Sequence, residues 1–276
     1  MLKIKSQIRK LYLHTACMSF QLAGASWVAL LSARGFSLVQ IGLAESVFHI
    51  TSLLFEIPSG VIADSFGRKR AMAMGRCMTV LSALLMIVSD SMAGVLPAMV
   101  FSALGYNFDS GSREALAYES LKEVGKEREY DRYCAVDTVI WRIGGALATL
   151  CAGLALFLGY RKAYLADVVL GIAGVGIALL LKEVPGRERT KDRSGKKGQP
   201  SAAARVFSCL KESMLFLKEN KKAVQTIFQN AGVGAVATLM LFFYRPGCRS
   251  RDFPNLPWGR SCFSWGWEGP QARRLW

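Results

Sequence analysis

Two long apolar segments joined by one short basic turn restrict this chain to a helical hairpin that crosses a membrane. Residues 37–63 and 71–88 flank the stretch 60–70, G-V-I-A-D-S-F-G-R-K-R. Each is long enough, as a helix, to span the roughly 30 Å of hydrocarbon in a bilayer. Short loops rich in Lys and Arg stay on the cytoplasmic side, so Arg68, Lys69, Arg70 and Arg76 are expected to hold the turn there. Gly60 and Gly67 allow close helix approach and a sharp turn.

The rest of the chain agrees. Of its 276 residues 52% are hydrophobic and glycine is abundant inside apolar runs rather than confined to turns, so the chain reads as an all-α integral membrane protein. A net charge of +15 would ordinarily suggest nucleic acid, but most cations fall in loops of one predicted side and in the C-terminal tail. Topology accounts for most of them, and no nucleic acid partner is expected. The seven cysteines show no C-x-x-C spacing, and there are only two histidines, His14 and His49. Neither a disulfide framework nor a metal centre is supported. No G-x-x-x-x-G-K-[ST] run indicates direct ATP use, and no nucleophile or metal cluster marks an enzyme. No cofactor is expected.

Seven spans are predicted. Lys3, Lys5, Arg9 and Lys10 precede an uncharged run at 11–33, too long for a signal peptide, which places the N-terminus inside. The second and third spans are the hairpin described above. The fourth runs from 92 to 108 and beyond, the fifth over 135–158 and the sixth over 163–181, which leaves Arg161 and Lys162 outside, against the rule. The N-terminal six-helix bundle is thus expected over 1–182. A basic cytoplasmic linker follows at 183–221, in which 202–220 has the apolar spacing of an interface-lying helix or a plain helical extension. The seventh transmembrane helix is predicted within 222–244.

After Tyr244 the composition changes abruptly. Of the 32 residues at 245–276, 23 are Arg, Gly, Pro, Trp, Ser or Cys, and nothing there can span a membrane. These are the residue types that GC-rich coding sequence yields out of frame, and the expectation is a frameshift near Tyr244 that truncates the chain. A genuine interfacial extension, with Trp and Arg at the headgroups, is the alternative.

The stretch 60–70 resembles the loop signature of the major facilitator superfamily, in the place where that family carries it, between its second and third membrane helices. Gly60, Asp64, Gly67, Arg68 and Lys69 fall at the family spacing, and Ser65 stands where many members have Arg. The resemblance implies a secondary transporter: two six-helix bundles around a central cleft, rocking about a midplane site, with a small-molecule substrate and a coupling proton or ion. It also implies that Arg68 contacts acidic groups at the end of the fourth helix, here Glu114 or Glu119. Asp64 would face a helix of the second half. Six spans, a charged linker and a further span match the family's first half plus one helix.

Charged groups inside membrane helices normally face a bundle interior or an aqueous cavity, so they are the candidate site residues. On the second span Glu45, His49 and Glu56 fall within about 40° of one another on one helix face. Glu45 with His49 is a candidate proton-coupling or cation-binding pair. On the fourth span Asp109 and Arg113, four residues apart, can pair on one face. On the fifth, Asp137 and Arg142 are candidates, beside small residues at Gly144, Ala148 and Ala152, with Gly145, Thr149 and Gly153 alongside, that allow close packing. His14 and Gln21 are lone polar groups on the first span, suited to hydrogen bonding between helices.

A seven-span receptor matches the number of spans only, since residues 223–244 lack a Lys to hold retinal. The serious rivals are a non-transporting membrane fragment and a half-transporter that works with a second copy or a separate second half, with lipid around it in either case.

Overall fold

In a computed structural model, the structure describes residues 3–184 and 220–244, together with Phe207, Leu215 and Lys218. The interfacial-helix expectation at 202–220 and the out-of-frame tail at 245–276 lie outside, or almost wholly outside, these residues. Two compact units divide at residue 212, and each is taken by itself.

The first unit is a helical bundle. α1 (Ile4–Ser19) and α2 (Leu22–Ala33) together make one 30-residue stretch. The predicted first span is therefore broken at Phe20 and Gln21, and the break has a cause. Gln21 is extended, and the backbone N–H groups of Leu22, Ala23 and Gly24 all donate to the Asp167 carboxylate at 2.6, 3.0 and 3.0 Å. A helix begins with four N–H groups that lack an intrahelical partner. Here one half-buried side chain takes three of them.

α3 (Leu38–Phe66) starts at a capping box in which Ser37 accepts from the Gln40 N–H and the Gln40 side chain accepts from Ser37. It ends at Gly67, and α4 (Arg68–Val88) starts directly after it. α5 (Met92–Glu123) runs for 32 residues, roughly 48 Å, longer than the hydrocarbon is thick, so its acidic final turns project beyond the core. A single 3₁₀ turn at Glu127–Glu129 leads into α6 (Tyr130–Leu150), which bends by 47° at Cys151 into α7 (Ala152–Leu158). α8 (Tyr160–Leu180) completes the bundle.

Four stretches are long and apolar enough to cross a bilayer among the described residues: Ile4–Ala33, Leu38–Phe66, Arg68–Val88 and Tyr160–Leu180. The bent pair α6 and α7 makes a fifth. α5 is not among them, although its length suffices. The second unit contains α9 (Lys221–Tyr244), which covers the predicted seventh span.

The turns sort the bundle into two ends. At one, which we term the basic end, Gln7 donates to the Lys182 carbonyl at 2.9 Å and accepts from its N–H, and Lys10 donates to the Leu180 carbonyl. The α3–α4 turn and the α5–α6 loop belong to this end. At the other, the Arg34 guanidinium donates to the Ser89 carbonyl and lies 4.2 Å from the Tyr160 ring, while the Tyr160 hydroxyl donates to Asp90. Arg161, which stood against the charge rule, sits 3.9 Å from the same carboxylate.

Between the ends the apolar core is split. One cluster gathers Leu30, Leu31, Ile41, Met86, Val95, Met99 and Val168. A second, toward the basic end, gathers Leu11, Met72, Leu116, Leu121, Tyr133 and Leu181. The buried His14 of α1, Arg76 of α4 and Asp109 and Arg113 of α5 lie between the two sets, so the bundle carries a polar layer at mid-depth.

Candidate functional site

At the basic end, Gly67 has φ +111° and ψ 141°, a conformation open to glycine and strained for other residues. This sharp corner leaves the first N–H groups of α4 exposed to an acceptor, and Glu183, just past α8, fills that role. Its carboxylate accepts from the Arg68 N–H at 2.8 Å and the Lys69 N–H at 3.0 Å. A Cβ on Gly67 would lie 2.8 to 2.9 Å from the Glu183 carboxyl atoms. The Arg68 guanidinium pairs with Asp64 at 2.5 Å and reaches to 3.9 Å from Glu119. Of the two acidic groups expected to meet Arg68, Glu119 comes within range, while Glu114 lies toward Tyr130. Gly60, Glu56 and Arg68 line a cavity of about 410 Å³ with Ser52, Asn107 and Ser110.

Hydrogen bonds and ion pairs in the mid-depth layer join three helices, α1, α5 and α6. His14 Nε2 lies 2.6 Å from Asp109 Oδ1, both side chains at most 1% exposed. Next to it on α1, the Thr15 hydroxyl donates to Asp137 on α6 at 2.6 Å and accepts from Arg113 on α5 at 2.8 Å. Arg113 also pairs with Asp137 at 3.1 Å and lies 5.9 Å from the Trp141 ring. The expected Asp109–Arg113 pair is therefore corrected: each finds a partner on another helix, because α1 and α6 bring His14, Thr15 and Asp137 to the same depth.

Arg76 requires a second correction. Expected among the cations of the turn, it is 1% exposed and lies two helical turns into α4 within the charge field of Asp109 and Asp167. Gly174 of α8 makes room for it, since a Cβ there would stand 3.1 Å from Arg76 Nε.

The α3 stripe divides between two cavities. Glu45 lies 3.4 Å from His49 and faces a cavity of about 220 Å³ lined also by Gln21, Trp27, Phe48, Tyr164 and Asp167. Glu56 faces the larger one toward the basic end. His49, Glu56 and Arg142 are exposed. On α6, Gly144 packs against Ser19 and Ala148 is buried, whereas Gly145 and, on α7, Gly153 face open space. The close-packed stripe is thus narrower than expected.

Sequence reasoning missed Asp167 and Glu183 and misplaced Arg76. Asp167 is a lone acid in an apolar run and could have been found by the rule that singled out Glu45. Glu183 gave no such signal, because it stands among charged residues where the linker begins.

The sequence model described as Major Facilitator Superfamily matches residues 12–259. The chain belongs to that superfamily. It is 36% identical over 88 residues to an uncharacterized MFS-type transporter, YxaM, of Bacillus subtilis strain 168, covering 32% of this chain and 22% of that protein. It is 25% identical over 156 residues to the inner membrane transport protein YajR of Escherichia coli strain K12, covering 56% and 33%. Among solved structures, the nucleoside transporter NupG (D323A mutant) aligns with a TM-score of 0.58 and 17% identity over 76% of this chain and 52% of that one. That likeness concerns the fold alone. The chain spans about half of the solved structure and a third or less of these two curated relatives. As a member of this superfamily it is a multi-pass membrane protein of a transporter family.

Proposed function

We propose that this chain supplies one bundle of a secondary transporter that moves a small solute across a membrane by alternating access, coupled to a proton or another ion. The carrying observation is the charge cluster at the basic end, Asp64, Arg68 and Glu119, built on the loop that marks the superfamily. With the basic end cytoplasmic, the N-terminus lies inside. The cluster holds α3, α4 and α5 together at that face, and Asp64, 60% exposed, remains available to a second bundle. Solvated pairs of this kind contribute less than about 1 kcal/mol each. Their role in this reading is to bias an equilibrium between two access states, which a small differential suffices to do.

One bundle alone has no opposing wall for a central cleft. Transport in this reading needs a second bundle, whether from further chain, a second copy or a separate half, and the exposed apolar residues of α3, among them Ile50, Leu53 and Leu54, are the surface that such a bundle or lipid would cover. The test is solute uptake and efflux in membrane vesicles with and without a proton gradient. The chain as it stands is compared with one read on in the alternative frame after Tyr244. Gradient-dependent transport by either version supports the reading. No transport by either, with both present in the membrane, overturns it and leaves the non-transporting fragment.

A further inference from the structure

We propose that the cavity walled by Trp27, Phe48 and Tyr164 binds a small organic cation, an ammonium compound that also carries an oxygen, between the carboxylates of Glu45 and Asp167. The site lies within one bundle. It goes beyond the proposed function, because neither a second bundle nor transport is needed to fill it.

The cavity, of about 220 Å³, is formed by α2, α3, α4, α5 and α8, with Gln21 at the break before α2, and no residue of α6 or α7 lines it. The break brings Asp167 to the wall. Its carboxylate is held there by the N–H groups of Leu22, Ala23 and Gly24. Those bonds use three of its roughly four acceptor sites, and a helix start carries only about half a positive charge, so most of the negative charge is left over. Glu45 reaches the cavity from α3. Its side chain is 29% exposed and marks the mouth.

The lining contains these two carboxylates and no Lys, Arg or His. From outside it, His49 lies 3.4 Å from Glu45 at the exposed surface, and Arg76 of α4 acts on Asp109 ahead of Asp167. Among the described residues neither carboxylate is in an ion pair with Lys or Arg. Acidic groups drawn out of water call for a cation. The rings select its kind, because a cation is attracted over an aromatic face, most strongly that of Trp, and several rings together recognise alkylated ammonium groups. A metal ion matches poorly, since among the described residues no cluster of three or more His, Cys, Asp or Glu could hold one.

The second observation is independent of charge. Tyr164 is 6% exposed, and its hydroxyl is buried with no protein partner. A buried tyrosine hydroxyl ordinarily has one. Since Tyr164 lines the cavity, an oxygen of the ligand is the acceptor that would satisfy it. Size narrows the class further. The cavity is smaller than the roughly 300–1,000 Å³ that drug-sized ligands occupy, so the ligand has few heavy atoms, as a small amino alcohol has. The ammonium headgroup of a lipid shares this chemistry with a free solute.

The test is binding of radiolabelled choline to the full chain in nanodiscs of phosphatidylglycerol, a lipid without an ammonium group. The competitor is the neutral isostere of choline in which carbon replaces nitrogen. Choline is expected to bind saturably, and the isostere to compete at least about tenfold more weakly. Glu45→Gln should weaken choline binding at least about fivefold. Trp27→Leu should do the same, since leucine keeps apolar bulk and lacks the ring face. Asp167 also holds the start of α2, so the decision rests on Glu45 and Trp27, whose exchange leaves that cap in place. No saturable binding by the unmodified chain, an isostere that competes as well as choline, or unchanged affinity in either folded variant overturns the proposal. Phosphatidylcholine nanodiscs separate the two sources. Weaker apparent choline binding there assigns the site to a lipid headgroup and equal binding assigns it to a free solute, and both support an ammonium site. Binding is read without a gradient or a second bundle, so its failure and a failure of transport are separate results.

Discussion

Substituting Gly67 by Ala tests whether the corner of the family loop is held from outside its own sequence. Two costs add. At φ +111° and ψ 141° a residue with a side chain is strained by about 1–3 kcal/mol. The new Cβ would also fall 2.8 to 2.9 Å from the Glu183 carboxyl, which must then leave the Arg68 and Lys69 N–H groups. A carboxylate at a helix N-terminus contributes about 0.3–1 kcal/mol through the dipole alone, and its hydrogen bonds raise this toward 2 kcal/mol. The expected loss is roughly 3 kcal/mol, or roughly 6–12 °C in Tm for a bundle of this size. Thermal unfolding in detergent at one fixed scan rate reads it. Glu183→Gln alone should cost roughly a third as much, since an amide oxygen still accepts one N–H. The decisive measurement is the double variant, which should be no less stable than Gly67→Ala, because the methyl group has already displaced the side chain. Additive losses, or a Gly67→Ala chain as stable as the parent, would refute the reasoning.

Two further outcomes follow from the packing. A Cβ on Gly75 would meet the Gly105 carbonyl oxygen at 2.9 Å and the Asp109 N–H nitrogen at 3.2 Å, both backbone, so Gly75→Ala should cost about 1–3 kcal/mol by overpacking. Gly111→Ala on the same α5 meets nothing within 4 Å and should be neutral or stabilising by up to about 1 kcal/mol; equal effects in the two would contradict the close α4–α5 contact. Asp167→Asn replaces an acceptor of three N–H groups by a weaker one, and hydrogen exchange at Leu22, Ala23 and Gly24 should accelerate at least about tenfold, with unchanged exchange counting against the cap.

The hairpin of α3 and α4 was legible because apolar length and basic turns are local properties, and the structure turns at Gly67 as the sequence indicates. The charged layer was legible residue by residue and not as a network. Asp109, Arg113 and Asp137 stand out as charges in apolar runs, but their partners sit 95 and 122 residues away on α1 or on another helix. Spacing on one helix therefore suggested an Asp109–Arg113 pair, which the neighbouring helices outcompete. Arg76 was misread because it follows Arg68, Lys69 and Arg70 closely, although helical rise carries it about 12 Å deeper than Arg68. The break at Gln21 had no sequence sign of its own. It depends on Asp167, 145 residues from Leu22, and a long-range cap leaves no Ser or Asp at the helix start to read.

Both long-range caps come from one element. Asp167 lies within α8 and holds the start of α2, while Glu183, three residues past the end of α8, holds the start of α4. α3, in contrast, is capped by its own Ser37 and Gln40. α8 therefore fastens two helices at two depths, and Gly171 and Gly174 let it lie close to Val80 and Arg76 of α4 along the way. A helix tied this way cannot slide against α2 or α4 without breaking these hydrogen bonds, which couples the three helices. In the alternating access proposed above, that coupling keeps the bundle moving as one body, and the contacts that can be exchanged at little cost are the solvated Arg68 pairs at the surface.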